Sequence, residues 1–291
     1  MAEIRTVGVA GAGTMGAGIA LVAARAGFPT LLFDLNADAL ARARKQSEGF
    51  LANSVKRGKL TPEQREAILG RLTATADAGA LAACDAVIEA VFEDLGVKQK
   101  LLGELNGICP ETALFASNTS TLSITEIAAG SGRADRVVGM HFCLPAPLMK
   151  LVEMSPGLNT SEEAFARAWD FCKALGQNPV KTQDSPGFIL NYFLIPFNND
   201  VVRLIEQGVA EPAEIDRAVK IGLGYPMGPC ELLDLVGMDT QILVSEALHR
   251  GTLAARAAPP QLLRKMLAGG RLGRKTGRGF FRYERDGMFG G

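Results

Sequence analysis

Two side chains that could move a proton lie twelve positions apart in the segment MHFCLPAPLMKLVEM, residues 140–154. His141 is one of only two histidines in the chain, and Glu153 lies near the end of the same segment. A carboxylate bonded to one imidazole nitrogen fixes the tautomer and stabilises the imidazolium, so that the other nitrogen acts as a general base. The spacing equally suits a histidine satisfied in the core and a glutamate on a solvated strand face. The segment alone leaves both interpretations open.

The pattern around this pair predicts how the two side chains could meet. VVGMHF has the composition of a buried strand that ends near His141, and Pro145 and Pro147 cannot donate hydrogen bonds to a sheet. LMKLVEM, residues 148–154, then resumes strand alternation, with Glu153 on the face opposite Val152 and Met154. If the chain turns back through the prolines, Glu153 returns close to His141.

A glycine-rich turn near the start of the chain indicates a dinucleotide site. GAGTMG follows the apolar run IRTVGVA, opens a helical pattern, and is followed by Asp34 at the end of the next strand. Asp34 would accept hydrogen bonds from ribose hydroxyls and repel a 2′-phosphate, which favours NAD over NADP. An ordinary strand–turn–helix is the alternative. The predicted cofactor-binding set at this turn is Gly11, Gly13, Thr14, Met15, Gly16 and Asp34.

Two further polar positions could face a ligand. SNTSTLSI, residues 117–124, follows the apolar run TALFA and places Ser120 at the carboxyl end of a strand, where doubly wound sheets bind ligands. Capping of the next helix is the alternative role for this segment. Asn191 is polar within an apolar helical pattern, so its amide either satisfies backbone groups or faces a ligand carbonyl.

Strand and helix patterns alternate through the first part of the chain, with short connections. This alternation predicts an α/β fold, a Rossmann-like doubly wound and mostly parallel sheet, over residues 1–184. After Asp184 the helical patterns continue without strands, which predicts a separate all-α C-terminal domain over residues 185–291. Ser185, Pro186 and Gly187 form the predicted joint.

Composition narrows the class of protein. The chain has 291 residues, 47% of them apolar, and its 31 basic residues balance 31 acidic ones. No bulk attraction to nucleic acid or to an anionic membrane is therefore expected, and the length favours two domains. The five scattered cysteines show no metal-binding spacing and favour a reducing compartment. Without a secretory signal or a long apolar run, we expect a soluble, cytoplasmic protein.

Taken together, the blocks of the chain resemble the L-3-hydroxyacyl-CoA dehydrogenases, particularly the short bacterial 3-hydroxybutyryl-CoA type. The resemblance runs in order through VGVAGAGTMGAGIA, VIEAVFEDLGVKQKLL, ASNTSTLSITEIA, HFCLPAPLMKLVEM, DSPGFILNYFLIPFNN, GLGYPMGPCELLDLVGMD and GRKTGRGFF. It implies NAD as cofactor, a (3S)-3-hydroxyacyl-CoA substrate and a homodimer in which the helical domain contributes to the substrate site and the subunit interface.

The resemblance also implies roles for individual residues. His141 and Glu153 would form a catalytic dyad, with Ser120 and Asn191 holding the 3-oxygen and the thioester carbonyl. Further positions match sites beside the cofactor: Glu93, Lys98 and, more weakly, Lys275. The segment NSVKRGKL lies where the family contacts CoA, and its candidates are Ser54, Lys56, Arg57 and Lys59. A solvated helix end is the alternative for that segment.

The chain departs from the family pattern at positions beside these residues. Cys143 and Leu144 stand where the family commonly has Phe-Asn, an asparagine on the nicotinamide side, and Tyr192 replaces an arginine after the substrate asparagine. Three hypotheses follow: a 3-hydroxyacyl-CoA dehydrogenase, a relative that oxidises a non-CoA hydroxy acid, and a protein that binds NAD without catalysis. Turnover of acetoacetyl-CoA and its loss in His141→Gln would separate them.

Overall fold

A computed structural model describes residues 3–283, which divide after Ser185 into two compact units. Within these residues, the first unit contains a single eight-stranded sheet and six α-helices, and the second unit contains five α-helices. The predicted fold class, a Rossmann-like sheet followed by a helical domain, is confirmed.

The sheet has the strand order β3-β2-β1-β4-β5-β6-β7-β8. Strands β1 to β6 are parallel, β7 is antiparallel to β6, and β8 is parallel to β7. The order reverses between β1 and β4, and a doubly wound sheet binds its ligand at such a switch point. The strands are β1 (Val7–Ala10), β2 (Thr30–Phe33), β3 (Leu72–Thr75), β4 (Ala86–Glu89), β5 (Leu114–Ser117), β6 (Val137–Phe142), β7 (Leu151–Pro156) and β8 (Asn178–Lys181).

The central strands are buried on both faces, which explains their continuous apolar sequences. Every residue of β1, β4, β5 and β6 is buried. Because helices cover both faces of a parallel sheet, such strands lack the alternation of half-exposed ones. The edge strands β3 and β8 are mostly exposed and have the sequences LTAT and NPVK. Neither sequence predicts a strand, and Pro179 in β8 is compatible only with an edge.

All the α-helices of the first unit except the first begin at a polar cap residue. The third helix begins with a capping box: the Thr61 hydroxyl accepts from Gln64 N–H, the Gln64 side chain accepts from Thr61 N–H, and Pro62 follows Thr61. Asn36 caps α2 and Ser123 caps α5. The helices are α1 (Thr14–Arg25), α2 (Ala37–Lys56), α3 (Pro62–Gly70), α4 (Leu95–Asn106), α5 (Ile124–Ala129) and α6 (Glu162–Ala174).

The second unit has its own apolar core and a buried polar cluster. Its helices are α7 (Leu190–Glu206), α8 (Pro212–Leu223), α9 (Pro229–Val236), α10 (Met238–Thr252) and α11 (Gln261–Ala268). Val202, Leu233 and Leu263 are fully buried in the core. Asn199 in α7 bonds Gln241 and Ser245 of α10 and the carbonyl of Ala257, so its amide is satisfied inside the unit. Within residues 3–283, no helix has the length and apolar character needed to cross a membrane.

Candidate active site

The three glycines of the GAGTMG turn meet three different surroundings. Gly11 has φ +106°, and a Cβ there would lie 2.5 Å from the Ala90 carbonyl oxygen. A Cβ on Gly16 would lie 1.7 Å from the Gly11 carbonyl oxygen, so Gly16 permits the close contact between α1 and the turn. A Cβ on Gly13 would meet no atom within 4 Å. The space in front of Gly13 is therefore open to a ligand that approaches the backbone.

The N-terminus of α1 faces the same turn. Gly13 is the N-cap residue of α1 and supplies no side-chain cap, so the first amides of the helix, on Thr14 and Met15, retain their capacity to bind an anion. The Asp34 carboxylate accepts from Ala12 N–H at 2.7 Å and from Asn36 N–H at 2.8 Å, which fixes it beside the turn. Open backbone, uncapped helix and fixed carboxylate together fit a dinucleotide, with its pyrophosphate at α1 and a ribose at Asp34.

His141 and Glu153 lie directly opposite each other on β6 and β7. The antiparallel register pairs the two residues, so their side chains share one face of the sheet. His141 Nδ1 lies 2.8 Å from Glu153 Oε2, with the histidine 9% exposed and the glutamate 1% exposed. An ionised carboxylate only accepts hydrogen bonds, so Nδ1 donates, and the neutral ring then carries its lone pair on Nε2. The structure thus contains the predicted pair, and a ring protonated on Nδ1 would be in the tautomer that a general base requires.

The loop after β5 is organised by one carboxylate. Glu93 Oε1 accepts from the Thr119 hydroxyl at 2.6 Å, from the Ser120 amide at 3.0 Å, and from the amide and hydroxyl of Thr121 at 3.2 and 3.0 Å. Ser123 caps α5, so the capping role considered for this segment belongs to Ser123 and not to Ser120. The Ser120 side chain is half-buried at the carboxyl edge of the sheet, where a ligand would bind.

Behind this loop lies a buried charge cluster of three residues. The sequence predicts two of them, Glu93 and Lys98, as site residues, but does not predict Glu89. Lys98 Nζ lies 2.9 Å from both carboxylate oxygens of Glu89 and 3.2 Å from Glu93 Oε2. Lys98 is 1% exposed and Glu89 is fully buried. Ser117 donates its hydroxyl hydrogen to Glu89. A carboxylate inside the buried strand sequence AVIE was the signal that could have drawn attention to Glu89, because buried charges require partners.

The two carboxylates of this cluster respond differently to their surroundings. Burial raises the pKa of Glu89 above its ordinary value, although Lys98 and Ser117 oppose that effect. Burial acts in the same direction on Glu93, but the Lys98 cation and the donors of Thr119, Ser120 and Thr121 outweigh it and lower the pKa of Glu93. Glu93 is therefore ionised at neutral pH, in the form that accepts the loop's hydrogen bonds.

The departures Cys143 and Leu144 follow directly after the dyad strand. Cys143 is buried, and burial together with the Glu153 charge raises the pKa of its thiol to about 11. Leu144 is 45% exposed, so an apolar side chain lies at the surface beside the dyad. Gly18 of α1 approaches Pro147, which places the loop after the dyad against the helix that follows the glycine turn. The cofactor turn and the dyad are thus connected through packed residues of one unit.

The remaining predicted site residues lie in the second unit and at the end of α2. In the second unit, Asn191 is half-buried near the start of α7, and Lys275 Nζ lies 2.5 and 2.6 Å from the carboxylate oxygens of Asp239. At the end of α2, the Ser54 hydroxyl donates to the Phe50 carbonyl, while Lys56 and Lys59 are exposed. The roles of all these residues toward substrate or cofactor stay predictions.

A dinucleotide turn lies at the switch point of the doubly wound sheet, and a buried histidine–carboxylate pair lies at the edge of the same sheet. Together these two features define an NAD-dependent dehydrogenase. The family comparison identifies the type. The profile of the 3-hydroxyacyl-CoA dehydrogenase NAD binding domain matches residues 6–185, and that of the C-terminal domain matches residues 187–283. The chain belongs to the 3-hydroxyacyl-CoA dehydrogenase family.

Individual relatives agree over nearly the whole chain. The 3-hydroxybutyryl-CoA dehydrogenase of Bradyrhizobium diazoefficiens is 41% identical over 282 residues, which cover 97% of this chain and 96% of the relative. The human mitochondrial hydroxyacyl-coenzyme A dehydrogenase is 41% identical over 288 residues, covering 97% and 92%. The crystal structure of (S)-3-hydroxybutyryl-CoA dehydrogenase from Ralstonia eutropha superposes with a TM-score of 0.90 at 40% identity and covers 97% of this chain and 100% of that one.

Proposed function

We propose that this protein transfers hydride between NAD and C3 of a short (3S)-3-hydroxyacyl-CoA, the 3-hydroxybutyryl-CoA and acetoacetyl-CoA pair. The observation that carries the proposal is the buried hydrogen bond between His141 and Glu153 in a chain of this family. The relatives named as 3-hydroxybutyryl-CoA dehydrogenases support the short acyl chain.

His141 acts as the general base in the oxidation direction. Its Nε2 takes the proton of the 3-hydroxyl group while the C3 hydride leaves, and NAD supplies the acceptor for that hydride when it is bound. Glu153 accepts from Nδ1 at 2.8 Å, keeps the ring in the required tautomer and stabilises the imidazolium that forms. In the reduction direction the same Nε2 returns the proton to the alkoxide. The burial of both groups strengthens this electrostatic support.

Other residues bind and orient the reactants in this proposal. Ser120 and Asn191 hold the 3-oxygen and the thioester carbonyl, where polar donors stabilise the developing charge. Asp34 and the glycine turn bind the adenosine and pyrophosphate, with Thr14 and Met15 contributing helix amides. Lys275 completes the set proposed to contact the cofactor, while Glu93 and the buried Lys98, also proposed beside the cofactor, support it through the Ser120 loop. The basic end of α2 meets the CoA phosphates through Ser54, Lys56, Arg57 and Lys59.

A second candidate function is oxidation of a hydroxy acid that carries no CoA. The exposed Leu144 favours it, because an apolar side chain replaces a polar one beside the dyad. A solved diketoreductase that is 30% identical over 97% of this chain shares the fold, with a TM-score of 0.84. The basic end of α2 favours the CoA substrate instead, because phosphates require cations.

Oxidation of NADH with acetoacetyl-CoA tests the proposal, with acetoacetate as the probe without CoA. His141→Gln should lower kcat/KM about 10²–10⁴-fold, the range of one general acid–base group. His249→Gln is the matched control, since His249 lies in α10 and bonds the Ala254 carbonyl. Turnover of acetoacetate in preference to its CoA thioester would select the second candidate. NADH binding without turnover of either would contradict both.

We also propose a homodimer and a cytoplasmic location. Large apolar side chains are exposed on the second unit, among them Phe193, Ile221 and Leu223, and a subunit interface would cover such a surface. All five cysteines are buried and unpaired, which fits a reducing compartment. A role in fatty acid metabolism follows from the proposed substrate.

A further inference from the structure

Lys98 is the one lysine among residues 3–283 whose side chain is buried. Its ammonium group lies between the carboxylates of Glu89 at the end of β4 and Glu93 in the loop that follows. A charge with so little access to solvent requires compensation from its neighbours, and the two carboxylates supply it. The lysine is therefore placed to act on these carboxylates, with little of its surface available to a ligand.

Apart from Lys98, which contacts both, the two carboxylates have different partners. Glu89 accepts from the Ser117 hydroxyl and from Val91 N–H at 3.2 Å, and the Ser117 oxygen accepts from Thr119 N–H at 3.2 Å. Glu93 directs Oε2 toward Lys98 and Oε1 toward four donors of the loop that carries Ser120. Lys98 makes its two shortest contacts with Glu89, at 2.9 Å each, and its longer contact with Glu93, at 3.2 Å.

From this arrangement we infer that Glu89 is a positioning residue for the Ser120 loop and acts through Lys98. Glu89 holds the Lys98 ammonium group close to the sheet. Glu93 then interacts with that charge through Oε2, while Oε1 continues to accept hydrogen bonds from the loop. Without the negative charge at position 89, Lys98 has one carboxylate left and moves toward Glu93. It then competes with the amides of Ser120 and Thr121 for that carboxylate. The inference rests on the proposed function for the part that Ser120 plays in substrate binding.

Amide hydrogen exchange of the loop tests the positioning directly, without any substrate. In Glu89→Gln, the amides of Ser120 and Thr121 should exchange about tenfold or more faster than in the wild type, because local opening becomes easier. Lys98→Met removes the buried ammonium group, and Lys100→Met is its matched control. Lys100 is on the same helix and forms an exposed ion pair with Glu104, at 3.9 Å. The control should exchange like the wild type.

Kinetics with acetoacetyl-CoA and NADH test the consequence. Glu89→Gln should lower kcat/KM about tenfold, as expected when a substrate-holding group is displaced. Because Glu89 acts through Lys98, adding Glu89→Gln to Lys98→Met should cause no further loss. If the losses multiply in the double variant, or if Glu89→Gln lowers the melting temperature without changing loop exchange or kcat/KM, the inference is wrong.

Two further comparisons distinguish failure of the inference from misfolding of a variant and from failure of the proposed function. If Lys98→Met does not fold, Lys98→Gln takes its place in the cycle, because it also removes the charge and is polar. If the wild type does not turn over acetoacetyl-CoA, the proposed function fails, and the exchange of the Ser120 and Thr121 amides still decides whether Glu89 positions the loop.

Discussion

At the scale of single residues, His141 and Glu153 obtain their geometry from strand register. They are directly paired across β6 and β7, so the two side chains are in contact while both residues keep regular strand backbone. A shift of one position would turn Glu153 to the opposite face of the sheet. The pairing of Met140 with Met154, both fully buried, stabilises the register through the apolar positions beside the dyad. The core and the candidate catalytic pair are therefore specified by the same alternation.

Cys143 shows how the environment of the dyad determines the chemistry of its neighbour. Burial and the Glu153 charge raise the pKa of the thiol from an ordinary value near 9 to about 11. A raised thiol pKa means that the reactive thiolate is scarce below pH 11, about one part in a thousand at pH 8. Cys143 should therefore react with iodoacetamide in the unfolded protein and not in the native protein at pH 8.

Mass spectrometry of the alkylated peptides checks this expectation. The four other cysteines are also buried and serve as internal references, since burial raises the pKa of each of their thiols as well. Rapid modification of Cys143 alone, in native protein at pH 8, would show that its thiolate is accessible and would contradict the assigned environment.

At the scale of elements, we expect two glycines of the same turn to have different roles, Gly16 in folding and Gly13 in binding. Gly16 lies where a Cβ would meet the Gly11 carbonyl oxygen at 1.7 Å, whereas Gly13 faces open space and has an ordinary φ of −68°. Gly16→Ala should therefore destabilise the fold by about 2–4 kcal/mol, an overpacking cost against the backbone. Gly13→Ala should change the free energy of unfolding by no more than about 0.5 kcal/mol, because its backbone conformation suits alanine.

The same pair of variants should show the reverse order in cofactor binding. A methyl group at position 13 occupies the space that a pyrophosphate would approach, so Gly13→Ala should raise the Kd for NADH about tenfold or more. Urea denaturation measures the stabilities and fluorescence titration with NADH measures the Kd. Unchanged NADH affinity in a fully folded Gly13→Ala protein would be evidence against the assigned turn.

Several elements could be predicted from the sequence, and the reasons for the omissions are physical. The buried strand β1 is a continuous apolar run, β4 is apolar up to Glu89, and the Thr61-Pro62 start of α3 carries its own capping signal. The edge strands LTAT and NPVK bury little, so no apolar pattern marks them. Glu89 was missed as a site residue because its partner Lys98 is on another element, and such a contact is set by the fold.

At the scale of the whole molecule, the two units contribute different surfaces. In the first unit the glycine turn, the dyad and the Ser120 loop all lie at strand ends, so these predicted residues share one edge of the sheet, whereas the candidates for CoA lie at the end of α2. The second unit carries its own core and leaves apolar side chains of its helices exposed, among them Phe193 in α7 and Ile221 in α8. The candidate dyad therefore belongs to the first unit, and the exposed apolar side chains of the second unit support the proposed homodimer.

The proposed homodimer leads to a prediction for this exposed surface. The wild-type chain of 30.8 kDa should sediment as a species of twice that mass, because a partner subunit would cover the exposed apolar side chains of the helical unit. Ile221 is 75% exposed, so Ile221→Glu places a charge on the surface without removing a core side chain. The variant should shift toward the monomer and keep the helical content of the wild type, measured by analytical ultracentrifugation and circular dichroism. Ile221→Gln removes the same apolar side chain without adding a charge, so it separates the loss of apolar surface from an effect of charge. A wild type that sediments as a monomer at micromolar concentration would contradict the homodimer, and an Ile221→Glu dimer as tight as the wild type would place the interface elsewhere on the second unit.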